Sequence, residues 1–573
     1  VLSRWRAEIV AGLVGAALGA TYLLLPRMGT DLAAQVARAA FFADHGYTPI
    51  DLRWYAGVDQ LGYSLVSQPV MALLGVRVTG VVALVGAAVA LAALLRRTGA
   101  PRPVLGSLFG AVCIAGNLLS GRVTYGLGVF FGLLALLALT YRKLHGAAAI
   151  AALLASATSP VAGLFLGLAG AALLASRRVA GGLLIAVPAA VPLALSAALF
   201  GDGGWMNISY TDALRTIVTS LLVARLVPRR PVRVAGVLSA LGVLASALVH
   251  TPVGLNATRL VVMFALPVLA AYATVPRFRR VAATDAPHAT DAPHATDAPH
   301  ATDTPHATDA PHATDTTDTT DHPPAGPQAR PRRPRARPRR QPVAFVVVLL
   351  AVCWWQPPVV VGDVRDIGNP TADPAYFAPL RDRLAQETLT GRVEIPPTRD
   401  YWEAARLGDI PLARGWLRQA DIDRNPLFFT TVPGARGTGV VLTPQSYRTW
   451  LADQAVQFVA VPNAELSWPG RREAELITAG LPYLTPVWSD ADWRLYAVQN
   501  PQPIVAPPAT LVSRTATALT FDVPAAGDVS IRVHYYRWLT ATGGAVVVAS
   551  GDWTLVRVTA PGRYTLTSGL TPC

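Results

Sequence analysis

Residues 76–97 read VRVTGVVALVGAAVALAALLRR: after Arg77, eighteen residues pass without a charge before Arg96-Arg97 closes the run. A bilayer core of about 30 Å is crossed by roughly 20 apolar residues in helical form, so the stretch predicts a transmembrane helix over 76–95. Similar runs lie at 8–25, 104–119, 125–141, 179–200, 212–228, 233–250, 259–276 and 343–361. Residues 146–176 form a further apolar run broken by Ser159-Pro160; proline lacks the amide hydrogen and disfavours helix before it, which splits the run into two short spans. The reading is eleven spans, of which 212–228 carries Arg215 and Arg225.

Composition agrees with the spans. Of 573 residues 52 % are hydrophobic and only 15 % charged, where a soluble domain has about 25 % charged residues. Mean hydropathy is +0.38, which excludes a mainly disordered chain as well as an ordinary cytosolic enzyme. The net charge is +14, and Lys143 is the single lysine. Arginine in place of lysine, with abundant Ala, Gly, Val and Pro, is the codon signature of a GC-rich bacterial genome. Cys113, Cys353 and Cys573 imply no disulfide framework.

Arginines set the expected orientation. Arg4 and Arg6, then Arg96-Arg97, Arg142-Lys143, Arg177-Arg178, Arg229-Arg230 and Arg279-Arg280, fall at every second loop. The positive-inside rule therefore places the N-terminus in the cytoplasm. Loops 26–63, 120–124, 201–211 and 251–258, and everything after the eleventh span, fall outside. The first span is followed by ten more, so it is read as an anchor and not a cleaved signal.

The expected organisation is a membrane core over 1–276, a linker over 277–342, a last span at 343–361, and outer modules at 362–502 and 503–573. The linker repeats ATDAPH, with Asp285, Asp291, Asp297, Asp303, Asp309 and Asp315 in phase with five histidines from His288 to His312. A metal-binding tract and a slipped repeat in a disordered loop are the two readings; the second is favoured, because proline in every unit prevents a core that would fix ligands. Seven arginines over 330–340 precede the last span, and a cluster of that density attracts anionic lipid headgroups. No folded or aromatic partner accompanies them, so no nucleic-acid partner is expected. The outer region mixes helices (375–387, 401–406, 444–454) with strands at 456–461 and 493–498. Beyond 508, period-two strands at 518–523, 529–535, 545–549 and 553–558 predict a small antiparallel sandwich, a carbohydrate-binding module or a structural lid.

The first outer loop carries the most chemistry: Gly29-Thr-Asp31, a helical stretch from Leu32 to Phe42, His45-Gly46, Asp51-Leu-Arg53-Trp54-Tyr55-Ala-Gly57 and Gly62-Tyr63-Ser64. Asp31 falls where the first span leaves the membrane. A carboxylate in a partly desolvated pocket there suits proton abstraction from a hydroxyl; equally, Thr30 or Asp31 suits the N-cap of the following helix. Arg122 and Arg259, with Asn256, sit on an otherwise cation-poor outer face. Guanidinium groups pair bidentately with phosphate, and the competing use is snorkelling or an ion pair with a loop aspartate. His45 and Trp54 are candidates for sugar stacking or for plain interfacial packing. Asn207 and Asn256 head Asn-x-Ser/Thr matches too common to weigh.

The Gly-x-Asp after the first span, the helix that follows, and Trp54-Tyr-x-Gly57 resemble the GT-C superfamily of polytopic glycosyltransferases, and more narrowly the bacterial membrane proteins of the YfhO-like and pyruvoyl-tetrahydropterin-synthase-related type. The resemblance implies a polytopic α-helical protein of GT-C-like fold, about eleven spans, with a C-terminal extracytoplasmic α/β plus β-sandwich region in a bacterial plasma membrane. It also implies a polyprenyl-phosphate sugar donor, an envelope glycan or protein acceptor, and an essential acid in the first outer loop. By position that acid is Asp31, with Asp51 as the second candidate; Arg53, Trp54, Tyr55, His45, Arg122, Asn256 and Arg259 are candidates for substrate contact. Where many members pair their acids, this loop has Asp44, Asp51 and Asp59 singly. No cofactor is assigned, and a divalent metal stays open. A transporter and a non-catalytic envelope-assembly scaffold are the alternatives.

Overall fold

Runs of Ala, Leu, Gly and Val with arginines only at their ends build the helices of the N-terminal half, in a computed structural model that describes residues 5–201, 204–274, 340–358 and 361–570. The ATDAPH repeat, Cys573 and, apart from Arg340, the arginine cluster with its expected lipid contact lie outside the described residues. In chain order the helices are α1 (Arg6–Leu24), α2 (Leu32–His45), α3 (Ser67–Leu74), α4 (Val76–Arg97), α5 (Pro103–Leu119), α6 (Val123–Leu139), α7 (His145–Thr158), α8 (Pro160–Ala175), α9 (Val179–Leu199), α10 (Tyr210–Leu226), α11 (Arg230–Leu248), α12 (Arg259–Tyr272) and α13 (Arg340–Trp355). Between α2 and α3 lies a hairpin of β1 (Ile50–Asp51) and β2 (Val58–Asp59).

A helix thus stands at each of the eleven apolar stretches. By length and composition, α1, α4, α9, α11 and the segment Gly254–Tyr272, which contains α12, can each cross a membrane; α5, α6, α8 and the Val343–Trp355 part of α13 are apolar and shorter. The chain is a multi-pass membrane protein. Small residues let the helices approach closely, as expected where apolar burial does not drive association. A β-carbon added at Gly80 would lie 2.4 Å from Leu118 Cδ1, and one at Gly110 would lie 2.4 Å from Leu91 Cδ2. The break at Ser159 is a capped start: Pro160 is the first residue of α8, and the Ser159 hydroxyl accepts from Ala162 N.

The C-terminal half is β-rich. It holds α14 (Val361–Arg365), α15 (Pro374–Leu384), β3 (Arg392–Glu394), α16 (Glu403–Arg406), α17 (Arg418–Arg424), α18 (Pro444–Asp453), β4 (Val456–Pro462), α19 (Trp468–Thr478), β5 (Leu484–Ser489) and β6 (Trp493–Val498). These strands form a sheet in the order β3-β4-β6-β5, with β3 parallel to β4 and the rest antiparallel. Then come β7 (Thr510–Arg514), β8 (Ala518–Val523), β9 (Gly527–His534), β10 (Leu539–Ala541), β11 (Val546–Ser550), β12 (Trp553–Val558) and β13 (Gly562–Ser568). They make two antiparallel sheets, β10-β13-β8-β7 and β11-β12-β9. Alternate residues Val529, Ile531 and Val533 face Phe521, Tyr564 and Leu566 in one core.

The two halves are not separate. Leu32, Ala33 and Ala37 of α2, with Trp54 and Tyr55 of the hairpin loop, share a core with Phe377, Trp402 and Trp493. Deeper in the C-terminal half, Arg414 sits among three carboxylates: Glu473 at 2.9 Å, Asp421 at 3.3 Å and Glu394 at 3.6 Å, all inaccessible to solvent. Burial, then the neighbouring Glu473, push the Glu394 carboxyl far above the usual range, while the same three acids hold the Arg414 guanidinium firmly charged. Nearby, burial pushes Glu403 up to about 7, against a hydrogen bond from Thr398 Oγ1 at 2.5 Å.

Candidate active site at the Asp31 loop

Two glycines allow the loop after α1 to lie directly on the turn between α5 and α6. Gly29 has φ +104°, and a β-carbon there would sit 2.4 Å from Leu119 O. Gly121 has φ +74°, and a β-carbon there would sit 2.4 Å from Leu32 N. Only glycine tolerates both the backbone conformation and the approach. Asp31 N donates to Ser120 O at 3.1 Å, which locks the two segments together.

Asp31 stands at the N-cap of α2, yet its side chain makes no capping hydrogen bond. Its Oδ2 instead accepts from Arg122 Nε at 3.2 Å and Arg259 Nη2 at 3.3 Å. Arg122 is the N-cap residue of α6; Arg259 opens α12 after a 3-10 turn, Gly254–Thr258, in which Asn256 is buried. Three residues far apart in sequence therefore meet at the same end of α1, α6 and α12. Their side chains are 15 %, 23 % and 19 % exposed, a half-wet setting in which charge pairing is stronger than in open water. The Arg259 guanidinium also lies 5.5 Å from the centre of the Tyr125 ring, three residues along α6 from Arg122 and so on the same helix face.

Beside this centre runs a polar network of which the sequence pointed to Tyr63, in Gly62-Tyr63-Ser64, but not to its partners. Gln35 Nε2 donates to Tyr63 OH at 2.8 Å, Thr124 Oγ1 donates to Gln35 Oε1 at 2.6 Å, and Ser67 and Thr124 hydroxyls lie 2.8 Å apart. The Arg38 guanidinium covers the Tyr63 ring at 4.2 Å, and burial raises the Tyr63 phenol above its ordinary pKa. Trp416, from the C-terminal half, packs edge-on against Tyr63 and donates Nε1–H to Thr30 O at 3.2 Å. The i, i+3 spacing of Gln35 and Arg38 on one face of a helix directly after Asp31 was the available signal.

The other candidates lie elsewhere. Asp51 is fully buried and forms a forked pair with Arg53 (Nε–Oδ1 3.0 Å, Nη2–Oδ2 2.8 Å) while accepting from Gln60 Nε2 at 2.8 Å. Arg53 also donates to Ala37 O, and its guanidinium lies near the Phe41 and Trp54 rings. Trp54 and Tyr55 are each 1 % exposed. Tyr55 OH donates to Gly415 O at 2.5 Å, and Trp54 lies so close to Gly415 that a β-carbon there would meet its ring at 2.8 Å. Tyr55, Ala56 and Gly57 successively have positive φ (51°, 58° and 110°). Arg424 Nη1 donates to the carbonyls of Tyr55 and Gly57, Tyr536 OH to that of Gly57, and His534 N to that of Ala56. The Trp-Tyr-x-Gly stretch is thus a plug in the C-terminal half. His45 ends α2 with its ring against Phe41 at 4.9 Å, away from Asp31's partners.

The Asp31 centre does not suit a divalent metal. One carboxylate oxygen already receives two guanidinium groups, whose charge repels a cation, and among the described residues no group of three or more His, Cys, Asp or Glu is arranged to hold one. A cleft of about 510 Å³ opens in the C-terminal half, lined by residues that include Arg381, Asp409 and Arg514 and none of the Asp31 cluster.

Fold and site together define a multi-pass membrane protein with a β-rich C-terminal half joined to its first loop. Among solved structures, arabinofuranosyltransferase AftD from mycobacteria, determined by single-particle cryo-EM, is similar at 17 % identity with a TM-score of 0.42, over 91 % of this chain and 41 % of that one. A mutant form of AftD is similar at 16 % identity with a TM-score of 0.40, over 91 % of this chain and 43 % of that one. This chain spans about two fifths of the length of those structures. No family model matches the sequence, and no curated protein matches it.

Proposed function

We propose that the protein is a membrane glycosyltransferase of the GT-C type that moves a sugar from a polyprenyl-phosphate donor to an extracytoplasmic envelope acceptor. The observation that carries the reading is the meeting of Arg122 and Arg259 on Asp31 at the ends of apolar helices. That end faces outward if the arginine clusters at the opposite ends mark the cytoplasm, and the ends of apolar helices are where a lipid phosphate would meet the protein. Eleven spans, an outer C-terminal half and a bacterial plasma-membrane location belong to the same reading, as does the narrower YfhO-like kinship.

In the reaction the two guanidinium groups release Asp31 Oδ2 and take the donor phosphate, matching planar donors to its oxygens. Asp31 accepts the proton of the acceptor hydroxyl as the new bond to the anomeric carbon forms. The bond from that carbon to the phosphate oxygen breaks, and its electron pair leaves with the polyprenyl phosphate. A carboxylate beside an oxocarbenium-like transition state also offsets the charge developing on the sugar. The base is Asp31 and not Asp51, whose oxygens are bound to Arg53 and Gln60 inside the fold.

The test is Asp31→Asn in a strain that lacks the native gene, with envelope glycans analysed and membrane insertion checked. Loss of a glycan with normal insertion supports the reading. Unchanged glycans would leave a non-catalytic scaffold in its place.

A further inference from the structure

The geometry points to Asp363, from the first helix beyond the last apolar span, as a positioning residue that clasps the two loops carrying Asp31 and Arg122; this rests on the reading of the Asp31 centre above. Asp363 lies on α14 and is 2 % exposed. Its Oδ1 accepts from Thr30 N at 3.4 Å, and its Oδ2 accepts from the Ser120 hydroxyl in a short hydrogen bond. Thr30 precedes Asp31, and Ser120 is the residue whose carbonyl accepts from Asp31 N. The two oxygens of one carboxylate thus tie the same two backbones that Gly29 and Gly121 allow into contact.

The clasp is itself anchored. Arg399 Nη2 donates to the carbonyl of Gly362 at 2.9 Å, and its Nε lies 3.5 Å from Asp366. Trp416 holds the carbonyl of Thr30 from the other side. A carboxyl or carboxamide group suits the position because it meets both Thr30 N and the Ser120 hydroxyl, which can turn its hydrogen toward Gly116 O, and a buried donor left unmatched is costly. Burial raises the Asp363 carboxyl, while Ser120, then Arg122, hold it down. Asp363 touches no reacting group in this arrangement. It fixes where Asp31 and Arg122 stand, so the last span and the C-terminal half complete the site.

The experiment uses the full chain in lipid nanodiscs, with hydrogen–deuterium exchange over 28–34 and 118–124 and with undecaprenyl phosphate as the binding probe. Asp363→Ala is expected to speed exchange in both segments by about tenfold and to weaken probe binding by a similar factor, the equivalent of one lost hydrogen bond. Asp363→Asn, which keeps an acceptor for Thr30 and a partner for Ser120, is expected to restore both. Unchanged exchange in Asp363→Ala, or an equal defect in Asp363→Asn, overturns the clasp. Faster exchange with unchanged binding, while Arg259→Met weakens binding, overturns the positioning role and leaves the proposed function standing. If Arg259→Met also binds the probe as the native protein does, the reading of the Asp31 centre falls first and the positioning role with it.

Discussion

Gly121→Ala isolates what close backbone approach contributes to the Asp31 centre. Two costs are separable. A φ of +74° is left-handed, which costs a residue with a β-carbon about 1–2 kcal/mol. The β-carbon would also stand 2.4 Å from Leu32 N and 2.7 Å from Leu32 Cα, backbone atoms that cannot swing aside. Relieving that contact moves the loops apart by about 1 Å, which stretches the 3.1 Å hydrogen bond from Asp31 N to Ser120 O and the 3.2 Å contact between Asp31 and Arg122. A displacement of that size is enough to lower a rate by about 100-fold. Gly46→Ala is the control: its backbone (φ +60°, ψ −140°) also disfavours a β-carbon, but no atom lies within 4 Å of the added carbon, so it carries a backbone cost without a clash. Sugar transfer from labelled polyprenyl-phosphate donors, measured in nanodiscs with both variants inserted equally, is expected to fall about 100-fold in Gly121→Ala and severalfold at most in Gly46→Ala. Equal transfer by the two variants would refute the reasoning, because the clash would then have no consequence for the site.

Arg414→Met strands three buried carboxyl groups and is expected to cost about 3–5 kcal/mol of stability, less at pH 5 than at pH 8 because protonation then removes the unpaired charge; thermal unfolding at the two pH values measures it. Glu403 has a folded pKa of about 7, above the ordinary 4.5, so its contribution is complete below about pH 4.5 and is lost as pH rises through 7. Glu403→Gln should flatten the fall in melting temperature between pH 5 and 8, and an unchanged slope would contradict the assignment. Arg53→Met leaves Asp51 buried and unpaired, with an expected loss of about 3–5 kcal/mol, and adding Asp51→Leu should recover part of it. A double variant no more stable than the single would show that the pair matters for something other than its charge.

The membrane half was legible because its signal is local: a run of some twenty apolar residues bounded by arginines reads the same in any context. The sandwich was legible for a related reason, since Ala518–Val523 and Trp553–Val558 alternate at period two. Strands of two or three residues, such as β1 and β3, are too short to carry a period, and β3 forms only because β4 lies parallel beside it. Of the site, Asp31, Arg122 and Arg259 stood out by residue type and depth, but only tertiary structure brings them together. Trp54 and Tyr55 show the opposite failure. An aromatic pair in a loop between helices has the same sequence signature whether it stacks on a sugar or plugs a neighbouring core, and here both rings are buried against Gly415. Asp363 was invisible because its contacts to Thr30 and Ser120 bridge more than two hundred residues.

The central claim, that Asp31 acts on a donor whose phosphate the two arginines hold, is tested most directly by measuring donor binding and sugar transfer on one nanodisc preparation of Asp31→Asn. Asp31 pairs with Arg122 and Arg259, and on the proposed reading it gives them up to phosphate, so its neutral isostere should bind undecaprenyl phosphate at least as tightly as the native protein while transfer falls about 100-fold or more. Native-level transfer by Asp31→Asn, or lost binding together with lost transfer, would contradict it.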